Sequence, residues 1–227
     1  MALLRPPTSA TVPGLRHAEC MFPMRLGASI LSPWRWQVRH LAMFAAWDRE
    51  AAIDEFLAQT RLGRTLAAGW HVRLRFLRRW GSLAALEGLP RTAAETDLDA
   101  PTVAVTIARV RFLQVPRFLR WGKPVERLVR DHPGTTLALA AARPFRTIST
   151  FTIWHNAREM KDMVHGHSKV PAPKRHAAAM AERSRKDFHL EFTTLRYACI
   201  SEHGQWQGRT GIVPPQPHLE AAVHNSA

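Results

Sequence analysis

A chain of 227 residues with 46% hydrophobic and 22% charged residues can bury a core as one large or two small domains, which excludes a disordered or collagen-like polymer. Lys and Arg number 32 against 18 Asp and Glu, leaving +14 at pH 7, a balance that draws anions such as nucleic acid, lipid headgroups or acidic ligands. No apolar run approaches the roughly 20 residues that a bilayer-spanning helix needs, and the segment from Met1 to Pro7 lacks the apolar stretch of a secretory signal.

The positive excess is mostly arginine, scattered from Arg5 to Arg209, with Lys123, Lys161, Lys169, Lys174 and Lys186 the lysines. A nucleic-acid stripe would cluster these charges on one face, so the expectation is a solvated basic surface with no specific nucleic-acid partner. Peripheral association with a membrane through that surface stays open. Cys20 and Cys199 cannot form a cysteine-based zinc site by themselves, which points to a reducing, cytoplasmic setting, including the inner face of a membrane.

In chain order, short strands are expected over Cys20 to Ser29 and Gln37 to Trp47, followed by a helix over Asp48 to Thr60 with Asp48 as N-cap and Ile53, Phe56 and Leu57 on one face. His71 to Trp80 alternates Val72, Leu74 and Phe76 with Arg73 and Arg75, the pattern of a strand with one wet face. Residues 87–101 turn polar and rich in small residues, which reads as a linker. Beyond it come strand Thr102 to Val110, helix Pro116 to Asp131 ended by Pro133-Gly134, strands Thr135 to Ala142 and Thr147 to Trp154, helices Ala157 to Val164 and Lys174 to Arg185, and strand Phe188 to Ile200. That β-α-β-β-α-β order is ferredoxin-like.

The chain also repeats itself. Phe44-Ala-Ala-Trp47 and its following helix recur as Phe151-Thr-Ile-Trp154 with Met160, Met163 and Val164 at the same steps. Trp70 to Arg78 recurs as Phe188 to Arg196, and Pro13-Gly14 as Pro133-Gly134. The expected fold is therefore α+β, two ferredoxin-like repeats forming a dimeric-α/β-barrel-type fold: 1–86 the first half, 87–101 the linker, 102–206 the second half, 207–227 a flexible C-terminal tail. The first half lacks counterparts of its opening strand and helix, so it is truncated or its edge is filled by another chain. The barrel is closed within the chain or by a homo-oligomer.

Thr150-Phe-Thr-Ile-Trp154 with its helix, Lys174-Arg-His176-Ala-Ala-Ala-Met180, and Phe188-His-Leu-Glu-Phe192 leading into the last strand resemble the spheroidene monooxygenase family of carotenoid-oxidising proteins. The same stretch is similar to antibiotic-biosynthesis-monooxygenase-like dimeric α/β-barrel domains. The likeness is best over 102–206 and weaker over 13–80. It implies a monooxygenase-like enzyme acting on an apolar carotenoid/isoprenoid- or polyketide-type substrate in a barrel cavity, with haem as the implied cofactor. His176 stands at the family's histidine position. The insertion Ser168 to Pro173, His189-Leu190 where acidic residues are common, and the short N-terminus depart from the pattern and bear on catalytic equivalence.

His176, opening a helix, is the candidate haem axial ligand and so the candidate metal ligand. Trp154 at a strand end is a core aromatic or a group stacking on the cofactor, and Arg196, like Arg78, could pair a haem propionate or substrate carboxylate bidentately. Without a metal, His155 is the candidate catalytic base in a water-poor cavity. His165-Gly-His167 either holds a metal or lies on a solvated loop. No dinucleotide fingerprint, Walker loop, nucleophile elbow or H-E-x-x-H occurs. Two other classes stay open: a non-catalytic haem or small-molecule-binding barrel, and an arginine-rich polyanion binder whose retention would fall steeply with salt.

Overall fold

The computed structural model describes residues 2–29, 31–143 and 147–216. Among them the chain forms β1 (Leu15–Met24), β2 (Ala42–Trp47), α1 (Glu50–Gln59), α2 (Arg61–Ala67), β3 (His71–Ser82), β4 (Thr102–Val110), α3 (Val115–Arg130), β5 (Thr135–Arg143), β6 (Thr147–Trp154), α4 (Ala157–His165), α5 (Arg175–Arg185) and β7 (His189–His203). All seven strands pair antiparallel in one sheet ordered β2-β1-β5-β6-β4-β7-β3. Its central strands, β5-β6-β4-β7, joined through α3, α4 and α5, have the order of a ferredoxin-like unit. β1 and β2 extend this unit beyond β5, and β3 extends it beyond β7, so strands from both sides of 87–101 share one sheet.

The sheet curls strongly. Phe44 on β2 and Tyr197 on β7 are five places apart in strand order, yet their ring centroids lie 6.4 Å apart. The alternation of β4 places Val103, Val105 and Ile107 on the concave side, against Leu195 and Tyr197 of β7, Ile153 of β6 and Leu137 of β5. Leu83 and Leu86 after β3, and Ile212 from the C-terminal segment, complete that core. On the convex side α1 and α2 bring Phe56, Leu62 and Leu66 onto Leu15, Ala18, Met43 and Trp47, while α3 and α4 bring Leu128, Met160 and Met163 onto Trp154.

Several element boundaries differ from expectation for local reasons. β1 starts at Leu15 rather than Cys20 because Gly14, at φ +75°, turns the chain where a Cβ would lie 2.5 Å from the Ala52 Cβ of α1. β2 starts at Ala42, since Gln37 to His40 form a turn closed by the His40 amide on the Gln37 carbonyl. Asp48 is not the cap of α1: Arg49 holds that position, and the Asp48 carboxylate pairs with Arg16. The chain does not leave helix at Thr60, whose hydroxyl instead accepts the Gly63 amide at 2.8 Å and starts α2. In the second half Asn156 caps α4 by accepting the Glu159 amide at 2.8 Å, and Gly166, at φ +79°, ends it.

The segment 87–101 is not a free tether. The Arg79 amide donates to the Arg91 carbonyl at 2.9 Å and the Ala93 amide to the Leu77 carbonyl at 2.8 Å, which lays this strap along β3. Of the tail, 217–227 lies outside the described residues; before it, Ile212 and Val213 donate their amides to the Glu202 carboxylate and Ile212 is 1% exposed. Ile212→Ala should therefore cost about 2–5 kcal/mol in urea denaturation, the range for truncating a core aliphatic, whereas Ile200→Ala at a 54% exposed position should stay within about 0.5 kcal/mol.

Candidate functional site

β1 reads Leu-Arg-His-Ala-Glu-Cys-Met-Phe-Pro-Met, one carboxylate in a largely apolar strand. Ala18 packs under the helices, so Glu19 points to the concave side, where it is 1% exposed. An uncompensated carboxylate there would be very costly. Its compensation comes from three other strands. Arg143 at the end of β5 places Nη2 2.6 Å from Glu19 Oε2, and Arg109 on β4 places Nη2 4.0 Å from Oε1. The Thr147 hydroxyl of β6 donates to Oε2 at 3.4 Å. His17, two residues back on β1, sets Nε2 3.5 Å from Oε1.

A second carboxylate completes the group. Glu191 of β7 pairs with Arg109 at 2.5 Å and accepts the Ala84 amide at 2.9 Å. Thr147, Ser149 and Thr193 are buried around it. The cluster reaches solvent through two side chains only in part covered, His17 at 13% and Arg109 at 38% exposure. Burial pushes the Glu19 carboxyl up, but the His17 contact and the Arg143 and Arg109 charges outweigh it, so the group lies below the usual carboxylate value and is ionised at neutral pH. Burial beside Glu19 pushes the neighbouring Cys20 thiol up to about 11, against the pull of Arg143, which leaves it a poor nucleophile.

The arrangement has the parts of an acid-base centre: an imidazole, an ionised carboxylate that can stabilise its protonated form, and two guanidinium groups able to hold an oxyanion. The residues singled out in the sequence lie elsewhere. His155 is exposed in the turn before α4, donating its amide to the Gly134 carbonyl. Trp154 is 1% exposed, enclosed by Leu128, Met160 and Met163, with its indole NH donated to the Thr152 hydroxyl at 2.9 Å. His176 sits on α5 with Nδ1 3.1 Å from the Val164 carbonyl, and burial pushes its pKa down. Arg196 lies on the convex side of β7, 4.8 Å from the centre of the Trp80 ring.

No hydrogen bond, ion pair or ring contact joins any two of Trp154, His155, His176 and Arg196 among the described residues. Leu128, Met160 and Met163 fill the space around Trp154, whereas the His176 Nδ1 contact with the Val164 carbonyl leaves Nε2 as the nitrogen that could hold a metal. His165 and His167 face each other at 5.9 Å between ring centroids, and no group of three His, Cys, Asp or Glu suited to a metal ion occurs among the described residues. No helix is long and apolar enough to cross a membrane among them.

The fold and its centre define a curled, antiparallel α/β sheet of ferredoxin type with ionised groups at one end of its concave core. No protein-family model matches the chain, and no curated protein matches it. Solved structures do resemble it: a Fusobacterium nucleatum protein with a provisional monooxygenase name is 10% identical, with a TM-score of 0.41 over 87% of this chain and 82% of that one. An anthrone oxidase-like protein is 12% identical, with a TM-score of 0.34 over 91% and 84%. An uncharacterised ferredoxin fold protein related to antibiotic biosynthesis monooxygenases, from Listeria monocytogenes, is 13% identical, with a TM-score of 0.30 over 78% and 79%. None of the three has a carotenoid-oxidising name, and likeness of this degree says nothing about chemistry.

Glu19→Gln should cost about 3–5 kcal/mol by leaving Arg143 without its counter-charge. The carboxyl titrates lower when folded than when unfolded, so its stabilisation is complete above the ordinary value of 4.5 and lost as pH falls through the folded one. Urea midpoints of the parent chain should therefore drop below about pH 4.5, and part of that drop should be missing in Glu19→Gln.

Proposed function

We propose that this chain is a monooxygenase-like enzyme built from two ferredoxin-like units, which removes a proton from an enolisable substrate at His17 and passes the resulting anion to dioxygen. The observation that carries this reading is the enclosed His17, Glu19, Arg109, Arg143 group on the concave side of the sheet. His17 takes the substrate proton, and Glu19, 3.5 Å away, stabilises the imidazolium. Arg109, half in solvent, receives the enolate oxygen. The electron-rich carbon then reduces dioxygen; for a methylene flanked by carbonyl or aryl groups, the balanced outcome is a new ketone and one water.

Of the two substrate types that the sequence resemblance implies, this chemistry suits the polyketide type, whose activated methylenes ionise, and not a hydrocarbon polyene. The barrel reading is supported by how the two flanks attach. β1 joins β5 at one side of the ferredoxin-like unit, and β3 joins β7 at the other. In this reading residues 1–86 and 102–206 are the two halves of the barrel, with 87–101 the strap between them. The arginine-rich exterior leaves peripheral contact with an anionic membrane, in the cytoplasm, as part of the proposal.

Oxygen uptake by the purified chain with an enolisable series from acetylacetone to anthrone tests it. Expected are uptake with at least one member, no Soret absorbance, and a loss of about 100-fold to 10,000-fold in His17→Ala, the usual weight of a general base. Uptake undiminished in His17→Ala removes the base assignment. A Soret band that vanishes in His176→Ala moves the chemistry to haem, and binding of the series without uptake marks a non-catalytic barrel.

A further inference from the structure

On the convex side of the sheet, away from the Glu19 group, two arginines stand directly opposite each other. Arg78 of β3 and Arg196 of β7 are cross-strand partners in register. Both side chains turn away from the concave core that Leu195 and Tyr197 enter. Like charges directly opposed on a sheet repel, and here no carboxylate separates them: neither arginine has an acidic partner among the described residues, although most of the acidic side chains do. The ring of Trp80 lies against both. The guanidinium carbons of Arg78 and Arg196 lie 4.7 and 4.8 Å from the centre of the Trp80 ring, a cation–π contact that offsets only part of the repulsion.

Arg196 shows the strain of this placement. Its Nε is buried without an acceptor, and burial together with the Arg78 charge pushes its pKa down to about 10. Beside Arg78 opens a cleft of about 660 Å³ between the end of β3 and the strap, walled by Arg78, Arg79, Trp80, Ser82, Arg91 and Thr92. Arg79 fixes the rim, donating to the carbonyls of Leu89, Gly81 and Glu87 at 2.8, 3.2 and 3.4 Å. Thr92 bridges to Arg78 itself. Glu87 is the one acidic residue of the wall, and its carbonyl is held by Arg79, not its carboxylate.

We infer that this cleft binds a phosphate dianion, free or as a phosphomonoester. Arg78 and Arg91 supply the charge, and Ser82 and Thr92 are the hydroxyl donors of the wall. A doubly charged oxyanion is what guanidinium groups recognise bidentately, and at Arg78 it would supply the counter-charge that the facing Arg196 does not. The inference is independent of the proposed oxidation, because it concerns the opposite side of the sheet and is read by binding rather than turnover.

Calorimetric titration of the full chain at fixed ionic strength, with inorganic phosphate in one arm and phenyl phosphate in the other, tests it. Expected are saturable one-to-one binding in at least one arm and a dissociation constant raised tenfold or more in Arg78→Gln. Binding should be unchanged in Arg120→Gln, which alters the separate basic groove between α3 and α5. Without ligand, Arg78→Gln should unfold at a higher temperature than the parent, since the repulsion is gone. Saturation by inorganic phosphate alone assigns the free ion; tighter binding of phenyl phosphate assigns the monoester. Binding that Arg78→Gln leaves intact, that Arg120→Gln weakens equally, or that appears only with a DNA oligonucleotide overturns the site. Should Arg78→Gln fail to fold, Arg91→Gln carries the same expectation.

Discussion

The ion pair between Glu19 and Arg143 sits where the sheet is weakest. β1 meets β5 over three paired positions, Phe22 with Ala142, Pro23 with Ala141 and Met24 with Ala140, whereas β3 and β7 run together from His71 opposite His203 to Ser82 opposite Phe192. Without more to hold it, the short seam would leave β1 and β2 as a loosely attached ribbon. Glu19 reaches across just beyond the last ladder position and takes Arg143 at 2.6 Å. Because both groups are largely withdrawn from water, the pair is worth having only with further polar partners, which the Glu19 oxygens have although the Arg143 Nε is buried without an acceptor. That demand draws in Thr147 from β6, Arg109 from β4 and Glu191 from β7, so one buried carboxylate ties five strands together.

The central ferredoxin-like unit was legible because its signals are local and periodic. β4 and β6 alternate Val, Ile, Phe and Thr in step with the sheet, and Asn156 and Gly166 punctuate α4 where the polarity changes. Glu19 was not legible for a correspondingly local reason. With β1 taken to begin at Cys20, the residue fell into a loop, where a carboxylate needs no explanation. Recognising Gly14 as the turn would have moved the start to Leu15 and left a lone acidic residue inside a buried strand, a pattern that asks for partners. Those partners could still not have been named, since Arg109 and Arg143 come from strands far along the chain and only the curl of the sheet brings them in. His155 drew attention by residue type and His176 by the resemblance and its place opening a helix, and neither signal says whether a ring faces solvent or a helix carbonyl.

The open edges explain features that look irregular in sequence. A curled sheet that stops short of closure exposes one side of β2 and one side of β3, and exposed edges invite pairing with other chains. β3 is guarded by the strap, whose Arg91 and Ala93 take ladder positions beside Leu77 and Arg79. β2 is short, and α1 bridges from it toward β3 by sending Glu50 and Asp54 to Arg73 at 3.1 and 2.5 Å. The polar composition of 87–101, which resembles a linker, is thus also the composition of a segment that must hydrogen-bond to an edge while facing water.

The large positive charge then divides into two populations with different work. Arg35, Arg73, Arg109, Arg117 and Arg143 each face a carboxylate from another element and serve to pin helices and strands to one another. Arg78, Arg91 and Arg196 have none among the described residues, and two of them confront each other across adjacent strands. A sheet assembled only for stability would place a glutamate or a threonine opposite Arg78, since either removes the repulsion without altering the pleat. That the opposing position is a second arginine, with the Trp80 ring against both charges and a cleft beside Arg78, is intelligible when the missing counter-charge comes from outside the chain.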